Sequence, residues 1–525
     1  MTVDNCRNIL VRGVNWIGDA VMTMPALRGL KHADPDAIIT LLVKPWVSPL
    51  FERDPSVDEI IIYKDEFAGI PGKMRLAHLL RKHHFCRAVL FQNAVDAAII
   101  TLLAGIPERI GYSRDGRRFL LTRPLPFDDR VKRLHHIEYY LNILSQSGYT
   151  ASYTVPWIYL GINERVDARM RLKNLQRPVV ALNPGATYGS SKRWHAERFA
   201  GLARRICSEI GGSVVIFGGA QEKGIADEII KEVKKQESGM SDLSGAACPS
   251  PLAPDRCMNL SGGTGLRELA AFLSECDVLV TNDSGPMHIG YAVGTPLVAL
   301  FGSTSPELTG PVGKDATVIR KDVDCSPCFE RECRMERLDC MDLISIDEVF
   351  GAVQKRIHTE RAVFFDRDGT LCEDAGYLSR MDDLRMDPRL HALTRLKDHG
   401  FNLIGITNQS GIARGLVQEE FVREVNTIFI EKHGFKGFYY CPHHPDEHCS
   451  CRKPEPGLLH AARADHDIDL KQSFVVGDKD SDMRLARAVG ATGILVESGQ
   501  DRSPVQTDFR AHDIEQAVEI ILDNC

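Results

Sequence analysis

The sequence has no apolar run of about 18 residues, so no helix is expected to span a bilayer. No charged, apolar-cored leader opens it. Asp4 and Arg7 flank Cys6 with no hydrophobic stretch behind them, and a secretory signal is not expected. A surplus of basic charge is missing as well. With 64 Lys and Arg against 71 Asp and Glu, the formal net charge is −7, which argues against a nucleic-acid partner. Nor is there a dispersed cysteine framework of the kind that staples small secreted domains. Of 15 cysteines, seven fall into two tight clusters at 325–340 and 441–451. In a long chain this pattern points to metal sites or reduced thiols, and to a cytoplasmic location.

What is present is ordinary for globular protein: 43% hydrophobic and 26% charged residues over 525 positions. That length exceeds one core, and about two to four domains are expected. The charge is uneven. Basic residues outnumber acidic ones over positions 1–135, so a first domain could face an anionic substrate or a membrane surface, or simply present a solvated face.

The most informative stretch is Ala362 to Leu371, AVFFDRDGTL. Val363, Phe364 and Phe365 read as a short buried strand. It delivers Asp366 and Asp368 at its carboxyl end, where open α/β sheets bind ligands. Two carboxylates that close need a cation or a proton between them. Mg²⁺, hard and oxygen-loving, is the fitting guest.

Upstream, strands and helices alternate from Asn8 onward, as in a doubly wound α/β domain. Asp19 lies at a strand-to-helix turn, where it is either a general base or a helix N-cap. The run Arg109 to Arg118, RIGYSRDGRR, reads as a Gly-broken loop, suited to phosphate recognition or simply solvated. A fresh strand at Pro178–Leu182 leads into NPGATYGSSKRW. Gly185, Gly189 and small hydroxyl residues surround Lys192 there, a loop able to bind phosphate through backbone N–H groups and a point charge. It lacks the spacing of a P-loop. Residues 237–264 read as a long Ser/Gly/Pro-rich surface excursion. Asp283, Ser284 and Gly285 form a turn after the next strand. Met287 and His288 then open a helix whose N-terminus points at the crevice that holds Lys192. Cys325, Cys328, Cys333 and Cys340 form C-x₂-C-x₄-C-x₆-C, either a structural metal site or a set of thiols.

RGVNWIGDAVMTMPALRGL, NPGATYGSSKRW, TNDSGPMHIGYAVGTP and CSPCFERECRMERLDC, in that order over about residues 7–350, resemble the ADP-heptose:lipopolysaccharide heptosyltransferases of glycosyltransferase family 9. The resemblance implies a GT-B pair of Rossmann-like domains, an acceptor side and an ADP-heptose side. It implies Asp19 as the base on the acceptor hydroxyl and Lys192 on the diphosphate, with Thr187 and Tyr188 in the same loop. Asp283, Ser284, Gly285 and His288 would line the donor pocket. The family inverts the anomeric centre without a metal.

In the last third, Thr407 ends a strand and is followed by NQSGIARG, a turn rich in donors for phosphoryl oxygens. CPHHPDEHCSCRKPEPG then offers Cys441, His443, Cys449 and Cys451 as a closed tetrahedral Zn²⁺ site, with His444 and His448 as alternatives for the nitrogen ligand. Arg452 and Lys453 follow at once. GDKDSDM closes the set with Asp478 and Asp482 as further carboxylates on the Mg²⁺ side. FFDRDGTL, TNQSGIARG, CRKPEPG and GDKDSDM, over about residues 361–500, resemble the haloacid dehalogenase superfamily, and within it the histidinol-phosphate and heptose-bisphosphate phosphatases. That resemblance implies Asp366 as nucleophile, Asp368 as acid and then base, and Thr407 and Lys453 on the phosphoryl group. It implies Mg²⁺ held by Asp366, the main-chain carbonyl of Asp368, and Asp478. Asp374, Gly376, Tyr377, Asn408, Gln409, Ser410, Arg452 and Lys479 would contact the sugar phosphate.

The expectation is therefore an α/β chain: Rossmann-like domains at 1–165 and 166–357, then a haloacid-dehalogenase-type domain at 358–525. The expected partners are ADP-heptose, a lipopolysaccharide inner-core acceptor and heptose 1,7-bisphosphate, with Mg²⁺ and structural Zn²⁺ in the phosphatase. No nucleic acid is expected, and peripheral contact with the inner face of the inner membrane would serve a lipid-linked acceptor. The rival expectation is a histidinol-phosphate phosphatase joined to a transferase-like module that is inactive or uses another acceptor.

Overall fold

The computed structural model describes residues 7–149, 155–239, 256–335, 337–497 and 505–524. Most of the expected excursion at 237–264 thus lies outside the described residues. The chain separates into two compact units, Met1–Arg356 and Ile357–Cys525.

Among the described residues there are three six-stranded sheets, and every strand pairing within them is parallel. The first contains β1 (Asn8–Arg12), β2 (Ile38–Val43), β3 (Glu59–Ile62), β4 (Arg87–Leu90), β5 (Glu108–Tyr112) and β6 (Arg123–Leu125), in the order β3-β2-β1-β4-β5-β6. The second contains β7 (Val179–Asn183), β8 (Ser213–Ile216), β9 (Cys257–Asn259), β10 (Val278–Asn282), β11 (Leu297–Phe301) and β12 (Ala316–Arg320), in the order β12-β11-β10-β7-β8-β9. These two sheets make up the first unit. The second unit holds β13 (Ala362–Asp366), β14 (Asn402–Asn408), β15 (Gly437–Cys441), β16 (Phe474–Gly477), β17 (Thr492–Val496) and β18 (Phe509–Ala511), in the order β15-β14-β13-β16-β17-β18.

Each sheet starts in its centre, winds to one edge, returns, and winds to the other. The order reverses between β1 and β4, between β7 and β10, and between β13 and β16. At such a reversal the connections leave in opposite directions and open a crevice at the carboxyl ends of the strands. The central strands are buried on both faces. β7, β10, β11 and β13 have no exposed residue, as continuous runs such as VVALN and AVFFD require.

The helix Ile17–Ala33 organises the first unit. It buries Met22, Met24, Leu27 and Leu30, each worth about 1.5–3 kcal/mol. It packs on the helix His136–Gln146 of its own half and on the helix Gly285–Ala292 of the other. Asp19 sits inside its first turn, three residues past the cap position held by Trp16.

Two expectations are corrected here. Arg109 to Arg118 is only partly a loop: its first part lies in β5, where Ile110 and Tyr112 are buried and pairing with β4 and β6 overrides the glycine. Arg117 is structural rather than a phosphate ligand. Its guanidinium is fully buried and donates to the carbonyls of Tyr112 (2.9 Å) and Gln92 and to Asn93 Oδ1 (3.1 Å). Burial pushes its pKa down to about 10. Of the cysteines, Cys86 is disulfide-bonded, and those of both clusters are free, as metal sites or reduced thiols would have it. No helix among the described residues is long and apolar enough to cross a membrane.

Replacing Arg117 leaves two buried carbonyls and an amide without a donor. We expect Arg117→Met to destabilise the first unit by about 2–4 kcal/mol. Differential scanning calorimetry should show its transition move down while phosphate release by the second unit is unchanged.

Candidate active sites

In the first unit a cleft of about 590 Å³ opens where the two sheets face each other. Asp19, Thr187, Tyr188, Lys192, Asp283, Ser284, Gly285 and His288 all line it. Lys192 leaves the loop after β7 and Asp283 the turn after β10, so the reversal of strand order brings them together. Lys192 Nζ lies 2.5 Å from Asp283 Oδ2, which also accepts from Thr304 Oγ1 at 2.6 Å. Both members of the pair are buried. Lys192 Nζ also sits 4.5 Å from the centre of the Tyr188 ring.

The Cys-rich segment straps this loop. Tyr188 Oη donates to the Phe329 carbonyl at 2.5 Å, and Ser191 donates through its backbone N–H to the Arg331 carbonyl at 3.2 Å. Gly189 is obligatory, because a Cβ there would stand 2.0 Å from the Arg331 oxygen. Phe329 and Arg331 thereby become walls of the cleft. Cys325, Cys328, Cys333 and Cys340 themselves are not among the groups of the described residues whose ligand atoms lie within 4.8 Å of one another.

On the other wall Asp19 Oδ1 is 3.0 Å from His136 Nδ1, a contact fixed by the packing of their two helices. Both residues also line a neighbouring recess of about 400 Å³ at the β1/β4 reversal, with Asn93, Arg114 and Lys132. Trp16 and Trp46, 57% and 51% exposed, stand at the rim of the cleft. Opposite Asp19, burial pushes His288 down to about 4 against the pull of Asp283 and Asp19, so its ring is neutral at physiological pH.

In the second unit Asp366 ends β13 and is buried. Lys453 Nζ lies 2.7 Å from Asp366 Oδ1 and 2.7 Å from Asp482 Oδ1, with all three side chains nearly inaccessible. Asp366, Asp478 and Asp482 offer oxygens within 4.8 Å of one another, an arrangement able to hold a divalent cation. Burial, reinforced by Asp482 and Asp478, pushes Asp366 up to about 8 although Lys453 opposes it. One lysine does not neutralise three carboxylates, and the excess charge is what a cation would balance. Gly369 has φ +96°, and a Cβ there would stand 2.3 Å from Asp478 Oδ2, so the turn must be glycine for Asp478 to close in.

Asp368 points away from that trio. It accepts from Arg367 Nε at 3.0 Å and Nη2 at 3.1 Å, from Gln409 Nε2 at 2.6 Å and from Thr407 Oγ1 at 3.3 Å. Although burial alone would raise it, these donors, Arg367 first, hold its carboxyl below the usual range. Arg367 is fully buried and its remaining nitrogen donates to Asn426 Oδ1 at 2.9 Å. Asn408 clamps the lysine from the side, accepting from the Lys453 N–H at 3.0 Å and donating to its carbonyl at 3.3 Å. Lys479 Nζ pairs with Asp374 Oδ2 at 2.9 Å, and Asp374 caps Gly376. Tyr377 is exposed, Ser410 is buried, and Arg452 Nη1 is buried without a hydrogen-bond partner.

Just before Lys453, Cys441, His443, Cys449 and Cys451 converge. Their contacts are 3.4 Å for Cys441–Cys449 and Cys449–Cys451, 3.5 Å for Cys441–His443 and 3.2 Å for Cys451–His443. Four soft donors at these separations surround a tetrahedral centre. His444 caps the next turn instead, accepting from the Asp446 N–H, so His443 is the nitrogen in the group.

Sequence reasoning missed His136, Arg367 and the two rim tryptophans, and read Asp482 without placing it beside the nucleophile. Arg367 was in plain view as the middle residue of D-x-D. His136 had a faint signal, since the His135–His136 pair opens an amphipathic helix.

Two facing doubly wound sheets with a phosphate-type loop in the second define a GT-B-type transferase. A third sheet with carboxylates and lysine at its reversal defines a phosphatase of the haloacid dehalogenase type. The chain belongs to glycosyltransferase family 9 (heptosyltransferase), whose model matches residues 73–339, with a HAD-hydrolase-like part matched at residues 450–519. It is 32% identical to lipopolysaccharide heptosyltransferase 2 of Salmonella typhimurium over 322 residues, 59% of this chain and 87% of that protein. It is 40% identical to the D-glycero-beta-D-manno-heptose-1,7-bisphosphate 7-phosphatase of Photorhabdus laumondii over 177 residues, 31% of this chain and 90% of that protein. The solved ADP-heptose LPS heptosyltransferase II of E. coli aligns with 67% of this chain and 98% of its own, at a TM-score of 0.55 and 27% identity.

Because His288 titrates lower in the folded chain than its ordinary 6.5, the unfolded chain takes up that proton first. Its contribution to stability is full above about pH 6.5 and is lost as pH falls toward about 4. We expect the melting temperature of the first unit to drop between about pH 7 and about pH 5, and His288→Asn to flatten that slope.

Proposed function

We propose that the chain is a bifunctional enzyme of lipopolysaccharide heptose metabolism. Its first unit transfers heptose from ADP-heptose to an inner-core acceptor. Its second removes the 7-phosphate of D-glycero-D-manno-heptose 1,7-bisphosphate. The observation that carries this reading is the coexistence, in one chain, of two separate strand-reversal crevices, each with a buried lysine–aspartate pair.

In the transferase, Asp19 takes the proton from the acceptor hydroxyl as it attacks the anomeric carbon, and His136 holds the carboxylate in line. The departing ADP carries its new charge against Lys192 and the N-terminus of the helix Gly285–Ala292. Neutral His288 adds polarity without a competing charge. The rim tryptophans offer apolar faces for sugar rings, and Arg114 and Lys132 would meet acidic groups on the acceptor.

In the phosphatase, Asp366 attacks phosphorus, a P–O bond to Asp366 forms, and the bond to the sugar oxygen breaks. Asp368 protonates the leaving oxygen and then accepts a proton from the water that cleaves the aspartyl-phosphate. Its resting donors, Thr407 and Gln409, are groups placed to turn toward an arriving phosphoryl. When they do, Asp368 loses stabilisation as an anion, its pKa rises, and it takes up from solvent the proton that it then gives to the leaving oxygen. Lys453 neutralises the phosphoryl charge. Arg452, with its buried unpaired Nη1, and Lys479 suit the phosphate left on the sugar. Mg²⁺ fits Asp366, Asp478 and Asp482, with the Asp368 carbonyl as the further ligand expected from the sequence; it would screen phosphoryl charge and keep Asp366 ionised. Zn²⁺ suits Cys441, His443, Cys449 and Cys451, leaves no open position, and would order the loop that delivers Lys453.

Phosphate release and heptosyl transfer, assayed on the same preparations, test the assignment. Asp366→Asn should lower phosphate release by at least about a thousandfold and leave transfer within about twofold. Asp19→Asn should do the reverse. Preference for histidinol phosphate over heptose 1,7-bisphosphate by kcat/KM would overturn the phosphatase assignment. Cys449→Ser, or a zinc chelator, should lower the melting transition of the second unit and slow phosphate release, without affecting transfer.

A further inference from the structure

Among the described residues lining the lysine–aspartate cleft of the first unit, only Lys192 and Arg331 carry an ammonium or a guanidinium group. The ammonium of Lys192 is already matched. It lies 2.5 Å from Asp283 Oδ2, and both side chains are buried. His288, on the same wall, is neutral at physiological pH. A diphosphate carries more than one negative charge, whereas the lysine–aspartate pair is neutral as a unit. Balancing the diphosphate therefore calls for a second cation.

Arg331 can supply it. It makes no ion pair among the described residues. Its neighbour Glu330 is taken up by Arg334, 2.5 Å away. The Arg331 side chain is exposed, and its guanidinium carbon lies 5.5 Å from the centre of the Tyr188 ring. That ring also carries Lys192 Nζ at 4.5 Å, so both cations stand at one side chain of the donor loop.

The main chain beneath Arg331 is held by two loops. In the loop after β11, the Ser303 carbonyl accepts from the Phe329 N–H at 2.7 Å and the Gly302 carbonyl from Ser326 Oγ at 2.6 Å. From the donor loop, Ser191 donates through its N–H to the Arg331 carbonyl at 3.2 Å and through Oγ to the Glu330 carbonyl at 2.5 Å. A braced backbone that presents an exposed guanidinium is preorganised to bind an anion, and the planar fork of arginine matches two phosphoryl oxygens at once.

We propose that Arg331 is a second diphosphate-binding residue of the transferase, delivered to the donor by the cysteine-rich segment. The inference rests on the transferase reading above, in which the donor is ADP-heptose. As the acceptor oxygen bonds to the anomeric carbon, the bond from that carbon to the β-phosphate oxygen breaks. Its electron pair leaves with ADP, and the acceptor's proton goes to Asp19. The charge that grows on the β-phosphate meets Lys192 and Arg331 together. The segment at 325–340 thus enters the reaction through an arginine rather than through its thiols.

The test is calorimetric titration of the full chain with ADP and with AMP, which lacks the β-phosphate. We expect Arg331→Met to weaken ADP binding about ten- to a hundredfold and AMP binding by no more than about threefold. Arg331→Lys, which keeps the charge but loses the fork, should recover part of the loss. In the transfer assay kcat/KM for ADP-heptose should fall by a factor similar to that for ADP, with the KM for the acceptor unchanged. Arg334→Met, at another exposed position of the same segment, should bind ADP like the wild type. Equal ADP affinity in the wild type and Arg331→Met would overturn the proposal. So would equal proportional losses for ADP and AMP, which mark a distorted loop rather than a missing β-phosphate contact. A wild type that bound no ADP would bring down the transferase reading and the inference together, whereas ADP bound as tightly without Arg331 would bring down the inference alone.

Discussion

A lysine ammonium buried against aspartate, at the point where a parallel sheet reverses its strand order, is the constraint around which both units are built. Lys192 and Asp283 meet between β7 and β10, and Lys453 with Asp366 and Asp482 between β13 and β16. Taking these charges out of water costs several kcal/mol per ion, and the attraction within the pair offsets that only if every member is held in place. Much of the local architecture serves that end. Thr304 donates to Asp283, Asn408 clamps both sides of the Lys453 backbone, and Gly369 and Gly189 give up their side chains so that neighbours can close in.

The two sites solve the problem differently. In the first unit one lysine faces one aspartate. In the second, three carboxylates share one lysine, and Asp366 is pushed up to about 8 by burial and by its acidic neighbours. That imbalance makes the site a receptor for a divalent cation. The loop that carries Lys453 is mostly irregular, and three thiols and one imidazole gather immediately before it. In the transferase the strap over the donor loop also comes from a cysteine-rich segment, but there the backbone carbonyls of Phe329 and Arg331 make the contacts.

Much of this was legible in the sequence because it is local. AVFFD had to be a buried strand ending in a carboxylate, and the three-sheet α/β architecture follows from alternating apolar runs and helices. The cleft gathers every donor-side residue singled out from motifs, because strand ends and helix starts are encoded by adjacent residues. What was not legible depends on partners far away in the chain. Arg117 resembles a phosphate-binding arginine until β4, β5 and the Gln92–Asn93 turn enclose it. Asp482 lies one helical turn past Asp478, and only the fold shows that it shares Lys453 with Asp366. His136 reaches Asp19 across 117 residues of sequence, through helix packing that no short motif records. Arg367 lies inside the best motif of all, but its buried role emerges only with Asn426 beside it.

The central claim is that each unit runs its chemistry at its own reversal crevice, and in the second that Asp366 becomes a covalent acyl phosphate. The most direct measurement is to quench the full chain during turnover of heptose 1,7-bisphosphate, reduce with borohydride, and map the peptides by mass. An acyl phosphate on aspartate is reduced to homoserine, so the account predicts that conversion at Asp366, and at no other aspartate, only when substrate is present. Phosphate release at full rate with Asp366 unmodified, or homoserine at another position, would contradict it.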